Sequence, residues 1–328
     1  MMTTMSRVRL PCIAAVLTAA FAGLAAAQAP YPSRPVRVVL PFLAGGSLDV
    51  IARAVAEHAS PRMGQPWVID NRAGAGGTIG AELVAKAAPD GYTLLFTPQG
   101  PLVINPFLMK QLPYNALTAF APISVVVEAP NVLTIPLSLP FRTVPDFIAY
   151  AKSNPGKMTF ASQGIGTTGH ITGGMITSQM GIALTHVPYK GFPPMLADVL
   201  TGRVGMMLAD TLNVLPRIRN KELVAVAVAA ATRSPMLPDV PTFAEHGYPG
   251  VVAGPWFAVL GPVGTPLDIR RKLSLEILAI MKIASVRERF DGLGVEIRAT
   301  TPEDFEVFLK SEYRRWGDAI RAAGITPE

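Results

Sequence analysis

At 328 residues, half of them apolar, the chain is long enough to build two compact lobes, each with its own core. Its 29 basic against 23 acidic side chains give an excess too mild to imply a nucleic-acid partner. The single cysteine, Cys12, excludes a disulfide framework and any metal site built on cysteines.

Arg7 and Arg9 precede an apolar stretch from Leu10 to about Ala26 that ends in Ala25-Ala26-Ala27 before Gln28. This reads as a cleavable signal peptide over residues 1–27. A retained membrane anchor is the alternative, but the stretch is alanine-rich, barely long enough to span, and lacks a charged flank after it. Cys12 follows Arg9-Leu10-Pro11, which is not a lipoprotein box, and cleavage removes it. With Arg7 and Arg9 gone, 27 basic residues face 23 acidic ones. No later stretch reaches the roughly 20 apolar residues of a spanning helix, so the processed protein is expected to be soluble and exported, periplasmic or secreted.

The mature sequence opens with the β-branched run 36–40, then Pro41-Phe42-Leu43-Ala44-Gly45-Gly46-Ser47, then Ile51, Ala54, Val55 and His58 at helical spacing. This is strand, glycine loop, helix. The pattern repeats from Trp67-Val68-Ile69 through Gly74-Ala75-Gly76-Gly77 to an alanine-rich helix ending near Ala88, and Asp90-Gly91 turns into a strand over 93–97. Alternation of this kind predicts an α/β sheet with parallel strands. From Ala121 to Ile135 the chain is β-prone and broken by Glu128-Ala129-Pro130-Asn131, which predicts a crossover to a second lobe.

A second series follows: a helix capped by Thr143, a strand over 158–161, a loop over 162–169 leading into a helix through Met180, and a strand over 184–187. A helix around 196–200 and strands over 204–208 and 223–228 complete it. The Pro- and Gly-rich passage 233–261 with its strand 256–260 returns the chain to the first lobe. Thr265 before Pro266 and Asp268, and Thr301 before Pro302, predict two terminal helices. The last carries Phe305, Phe308, Leu309, Trp316 and Ile320 on one face, with Glu306, Lys310 and Arg314 spaced i, i+4 on another. It is expected to act as a terminal brace.

Three glycine-rich loops open helices, where unpaired N–H groups and the helix dipole bind anions without a charged side chain. They are Ala44-Gly45-Gly46-Ser47 with Asp49, Gly74-Ala75-Gly76-Gly77-Thr78, and 163–168 with His170. Each alone reads equally well as a tight turn and cap, but three divided between facing lobes suggest a cleft. A dinucleotide fingerprint fails because its third glycine falls on Ile79. No strained nucleophile elbow surrounds Ser47 or Ser162, and the four histidines lack metal-ligand spacing, so neither catalysis nor a metal is expected. His170 and His186, which precedes Val187-Pro188-Tyr189-Lys190-Gly191, read as structural more readily than functional.

At these motifs the sequence resembles the substrate-binding proteins of tripartite tricarboxylate transporters, the Bug family, over essentially its whole mature length. The resemblance rests on Pro41-Phe42 with Gly45-Gly46 and Asp49, on the run 71–80, on 88–95, and on His186-Val187-Pro188-Tyr189-Lys190-Gly191. Phe120-Ala121-Pro122-Ile123, Arg233-Ser234, 237–242 and Trp256-Phe257 follow in the same order.

The resemblance implies a type II periplasmic binding protein-like α/β fold. Two lobes with mixed, mainly parallel sheets are joined by crossover strands around a cleft, with residues 28–125 and 228–328 as one lobe and 126–227 as the other. It implies a non-enzymatic, cofactor-free receptor, monomeric, that binds a small carboxylate and serves permease subunits in the membrane; a sensory receptor signalling to a kinase and a secreted hydrolase are the rivals. The carboxylate would be held by Pro41, Phe42, Ala44, Gly45, Gly46 and Ser47 and by Gly166, Thr167, Thr168 and His170, partly through water. Asp49, Gly76, Gln99, Ser162, Tyr189, Lys190, Gly191 and Asp210 complete the expected set. The chain departs from the family at Ser162-Gln163, at Thr167 in place of serine, and at Leu208-Ala209-Asp210, where the family often has Phe-Asp-Asn.

Overall fold

The computed structural model describes residues 31–327, so the expected signal peptide and Cys12 lie outside the described residues. Among the described residues no helix is long and apolar enough to cross a membrane. The chain builds two sheets. The first half of the sequence supplies β1 (Val36–Leu40), β2 (Trp67–Asn71), β3 (Thr93–Pro98) and β4 (Phe120–Glu128), with α1 (Ser47–Met63), α2 (Thr78–Ala85) and the short α3 (Asn105–Leu108) between them. In α1 the buried residues Leu48, Ile51, Ala52, Val55 and Ala59 follow the 3.6-residue repeat, and Gly64 ends the helix in the left-handed conformation.

β5 (Asn131–Pro136), α4 (Val144–Ser153), β6 (Thr159–Ser162), α5 (Thr168–Met180), β7 (Thr185–Pro188), α6 (Phe192–Leu200), β8 (Met206–Asp210), α7 (Thr211–Arg219) and β9 (Leu223–Val228) form the second lobe. β10 (Trp256–Pro262) then rejoins the first sheet, followed by α8 (Leu267–Met281), α9 (Ala284–Asp291), β11 (Glu296–Ile297) and α10 (Pro302–Ala322). The sheet orders are β11-β4-β10-β3-β1-β2 and β7-β6-β8-β5-β9.

Between strands, parallel pairing is confined to the strand-helix-strand units, β1 with β2 and β3, and β6 with β7 and β8, apart from an isolated parallel bridge of Val228 with Thr242. Every pair made by the connecting strands β4, β5, β9 and β10, and by β11, is antiparallel, so the mix is more even than the repeated motifs suggest. A parallel neighbour needs a helical crossover, and the strands that pass between lobes have none.

The two passages between sheets touch. The Ala129 amide donates to the Pro255 carbonyl (2.9 Å) and the Asn131 amide to the Ala253 carbonyl (3.0 Å), while the Ala229 amide donates to Asn131 (2.8 Å). Gly254 is required there, since a Cβ would stand 2.0 Å from the Ala129 carbonyl oxygen.

Thr143 and Thr301 cap α4 and α10 as their sequences imply, accepting from the Asp146 and Asp304 amides. Thr265 does not cap. Its hydroxyl donates back to the Pro262 carbonyl (2.7 Å) and α8 begins two residues later behind Pro266. On α10, Glu306 pairs with Arg270 of α8 rather than with Lys310, because the neighbouring helix offers a nearer cation.

Candidate functional site

A pocket of about 40 Å³ lies between the sheets. The first lobe contributes Phe42, Ser47, Leu48, Pro98, Gln99 and Gly100, with Pro255 and Phe257 from the return passage; the second contributes Asn131, Gln163, Thr167, Thr168, Gly169, Leu208 and Asp210. Of the residues expected to bind ligand, Phe42, Ser47, Gln99, Thr167, Thr168 and Asp210 are thus brought together.

The loop from β1 into α1 ends at Gly46, an extended N-cap with no side chain to offer its helix. The loop from β6 into α5 ends at Thr167, whose hydroxyl turns away to the Gly164 carbonyl (2.7 Å), leaving that helix without a side-chain cap as well. Elsewhere α4, α7 and α10 are capped by Thr143, Asp210 and Thr301, while α2, α3, α6, α8 and α9 also start without a side-chain cap, so what sets α1 and α5 apart is that both starts face the pocket. Helix starts carry amides without intrahelical partners and a positive dipole end. Two starts without a cap from their own N-cap residue therefore meet one pocket from opposite lobes; the Ser47 amide is taken by Asn213, and the amides that follow it in α1 and those of α5 present a geometry suited to an anion.

The lobes are joined directly beside it. Ser47 Oγ donates to Asp210 Oδ1 (2.5 Å), and the Ser47 amide donates to Asn213 Oδ1 (3.1 Å). Asp210 in turn caps α7, accepting from the Asn213 amide (3.2 Å) on Oδ1 and from Asn213 Nδ2 (3.0 Å) on Oδ2. Burial pushes the Asp210 carboxyl up, against the pull of these donors. Further along, main chain meets main chain. A Cβ on Gly76, which has φ +57°, would stand 2.3 Å from the Ile165 carbonyl oxygen, and one on Gly100 would stand 2.6 Å from that of Gly166. Gly76 and Gly166 thus belong to the contact between lobes rather than to the pocket wall.

Several expected contacts serve the loops instead. Asp49 is buried behind the first loop, where it accepts from the Gly45 amide (3.2 Å), Arg53 (2.9 Å) and Asn71 (3.3 Å). Burial alone would raise its pKa, but these hydrogen bonds outweigh it and hold the carboxyl below the usual range. Pro41 supports the close approach of Gly80, while Ala44 and Gly45 are exposed at the rim. Gln99 reaches the pocket but spends its amide on the return passage, donating to the Gly254 carbonyl (2.8 Å) and accepting from the Trp256 amide (2.9 Å). Tyr189, Lys190 and Gly191 are not brought to the pocket. The Tyr189 hydroxyl donates to Asp198 (2.7 Å), Lys190 is exposed, and Gly191 backs onto Leu43.

Ser162 Oγ lies 2.6 Å from His186 Nε2, a spacing that invites a nucleophilic reading. The hydroxyl is fully buried, however, and is also shared with the carbonyl (3.1 Å) and amide (3.2 Å) of Gly164. The rings of Phe160, His186 and His170 form a stack with centroids 4.7 and 4.3 Å apart, and the His170 Nδ1 accepts from the Gly166 amide (3.4 Å). Burial lowers the His170 pKa to about 4; burial and then the neighbouring His170 lower that of His186 to about 3. Both rings are neutral at pH 7, and among the described residues neither is hydrogen-bonded to a carboxylate. The group props the loop over 163–167. Among the described residues no cluster of three or more His, Cys, Asp or Glu is placed to hold a metal.

The chain matches the family described as "Tripartite tricarboxylate transporter family receptor" over residues 51–325. It belongs to that family. BugT of Bordetella pertussis is 38% identical over 295 residues, covering 90% of each chain. Among solved structures, R. palustris Rpa4515 with adipate superposes at a TM-score of 0.88 with 35% identity, covering 91% of this chain and all of that one. MatC from Rhodopseudomonas palustris with bound malate gives 0.85 and 32%, covering 88% and 100%. The chain is therefore a solute receptor of this family and not an enzyme.

Sequence reasoning missed Leu48, Pro98, Gly100, Asn131, Leu208, Pro255 and Phe257 in the pocket wall, and Asn213 beside it. Two signals were available. Asn131 stands at the crossover break itself, and Asn213 follows Asp210 by the three residues that separate a cap from the amide it receives.

Proposed function

We propose that this receptor closes upon a small organic carboxylate in the periplasm and delivers it to the membrane subunits of a tripartite tricarboxylate-type transporter. The observation that carries this reading is the meeting of two uncapped helix starts, those of α1 and α5, on one pocket whose wall contains no lysine or arginine. An anion held there is bound by main-chain amides, with no cationic side chain to desolvate. Adipate in Rpa4515 and malate in MatC support the choice of a carboxylate, and the expected signal peptide supports export. In this reading residues 28–125 with 228–328 and residues 126–227 are the two closing bodies. Phe42, Ser47, Thr167 and Thr168 contact the ligand, with Gly46 and His170 supporting their loops.

Thermal-shift and calorimetric screening of the mature chain against organic, amino and aromatic acids tests it. A true ligand stabilises the fold by about 2.7 kcal/mol at 100 times Kd. Stabilisation by uncharged solutes alone would remove the carboxylate. Co-purification of the loaded receptor with permease subunits rather than a sensor kinase tests the delivery step.

A further inference from the structure

The first turn of α7 belongs to the second lobe but reaches into the first at three consecutive residues. Thr211 Oγ1 donates to the Gly294 carbonyl (2.8 Å), and Asn213 Oδ1 accepts from the Ser47 amide (3.1 Å). Between them Leu212, 7% exposed, joins the first lobe's apolar cluster, which also holds Phe42, Leu48 and Phe257. Every other described member of that cluster lies before β5 or from β10 onward. Val214 and Leu215, the next apolar residues of the helix, belong instead to the cluster around Val132, Ala161 and Met207 of the second sheet. Further along α7, Arg219 Nη1 donates to the Gly292 carbonyl (3.1 Å), so one turn of the first lobe accepts twice from this helix. Thr211, Leu212 and Arg219 do not line the pocket.

We propose that the first turn of α7 is the latch of closure and that Leu212 is its positioning residue, holding the lobes together without touching the ligand. A leucine carried by one body and buried in the other is exposed when they part, and water opposes that exposure in proportion to the apolar area. The latch is made of protein atoms alone, so closure has a driving force of its own to which any ligand adds. Each ligand then leaves through the same opening step, at a rate that Leu212 helps to set. This rests on the reading of the chain as two closing bodies, and not on which solute they hold.

The experiment is hydrogen exchange, followed by NMR, at the Ser47 amide of the mature chain without added ligand. That amide donates to Asn213 across the seam and is freed when the lobes part. Leu212→Ala should speed its exchange roughly tenfold or more, the worth of the apolar area withdrawn. Leu212→Met keeps the volume and should return the rate to within about twofold of wild type. Thr211→Val keeps the shape but removes the bond to Gly294, and should speed exchange about fivefold. A Ser47 rate unchanged in Leu212→Ala overturns the latch. Leu212 would then be a pivot that stays buried in both forms, beside the Thr211 amide that donates to the Pro130 carbonyl at the crossing (3.1 Å). With malate or adipate bound, Leu212→Ala should raise the dissociation rate of either acid by the same factor, and an unaltered rate likewise overturns the proposal. If neither acid binds the wild type, the carboxylate reading suffers while the Ser47 comparison still decides the latch.

Discussion

The lobes meet at the cleft and again along the terminal helix, and the two contacts are built from different materials. At the cleft, glycines let backbone approach backbone, and the polar links are a few short side chains around Ser47, Asp210 and Asn213. Along α10 the contact is a packed core: one apolar cluster runs from Trp256, Phe305, Trp316 and Ile320 to Ile171, Met175 and Ile176 of α5. Buried Glu312 accepts from the indoles of Trp256 (2.8 Å) and Trp316 (3.0 Å) and from Arg315 (2.6 Å). Large buried aromatic area makes a contact costly to open, whereas a few hydrogen bonds exchangeable with water do not. The cleft is thus suited to opening, and the brace to staying shut.

Trp316→Ala attacks the brace and should have the largest effect, a loss of about 3–5 kcal/mol in urea unfolding, with ligand affinity of the remaining folded protein little changed. A stability near wild type would show that α10 is not the permanent contact.

Acid separates the two regions by pH. The His170 ring is held at about 4 against 6.5 when unfolded, so its stabilising neutrality is intact above pH 6.5 and is lost as pH falls from 6.5 through 4, costing roughly 3 kcal/mol. Glu312 behaves differently. Burial opposes its charge, but Arg315 and the two indoles outweigh that and lower its pKa, so its contribution persists above 4.5 and is lost only below that. Unfolding midpoints should therefore begin to drop near pH 6.5 through both His170 and His186, whose pKa is held still lower, and His170→Gln should make that drop shallower, leaving the part due to His186 and the loss of Glu312 below 4.5.

Gly76→Ala tests the cleft, beside a cost of about 1–2 kcal/mol in stability for placing alanine at φ +57°. The added methyl would strike the Ile165 carbonyl only when the lobes are together, so affinity should fall about tenfold by calorimetry and the radius of gyration with ligand should stay at the unliganded value. Thr143→Ala removes a cap remote from both regions and sets the lower limit, about 1 kcal/mol of stability with unaltered binding.

Most strands and helices were legible because each announces itself locally, whereas α7, α9 and the short α3 and β11 were not read. Val36–Leu40 and Leu223–Val228 begin and end where their β-branched runs do, and Pro130 marks the passage between lobes. The pocket was half legible. Glycine loops pointed to Ser47, Thr167 and Thr168, but the same motifs also pointed to Tyr189 and Lys190, which turn away, and to Asp49, which is consumed within its own loop. A motif reports that residues recur together and not which way each side chain faces.

By itself the sequence determined most elements of the two repeated series and the loops that open α1 and α5, because periodicity and turn chemistry are properties of neighbouring residues, but it did not yield α3, α7, α9 or β11. Only the tertiary structure decided that Ser47 meets Asp210 and Asn213 more than 160 residues away, and that Gly76 and Gly100 lie against the loop of the other lobe. Those contacts depend on how two separately folded sheets are brought face to face, which no local pattern encodes.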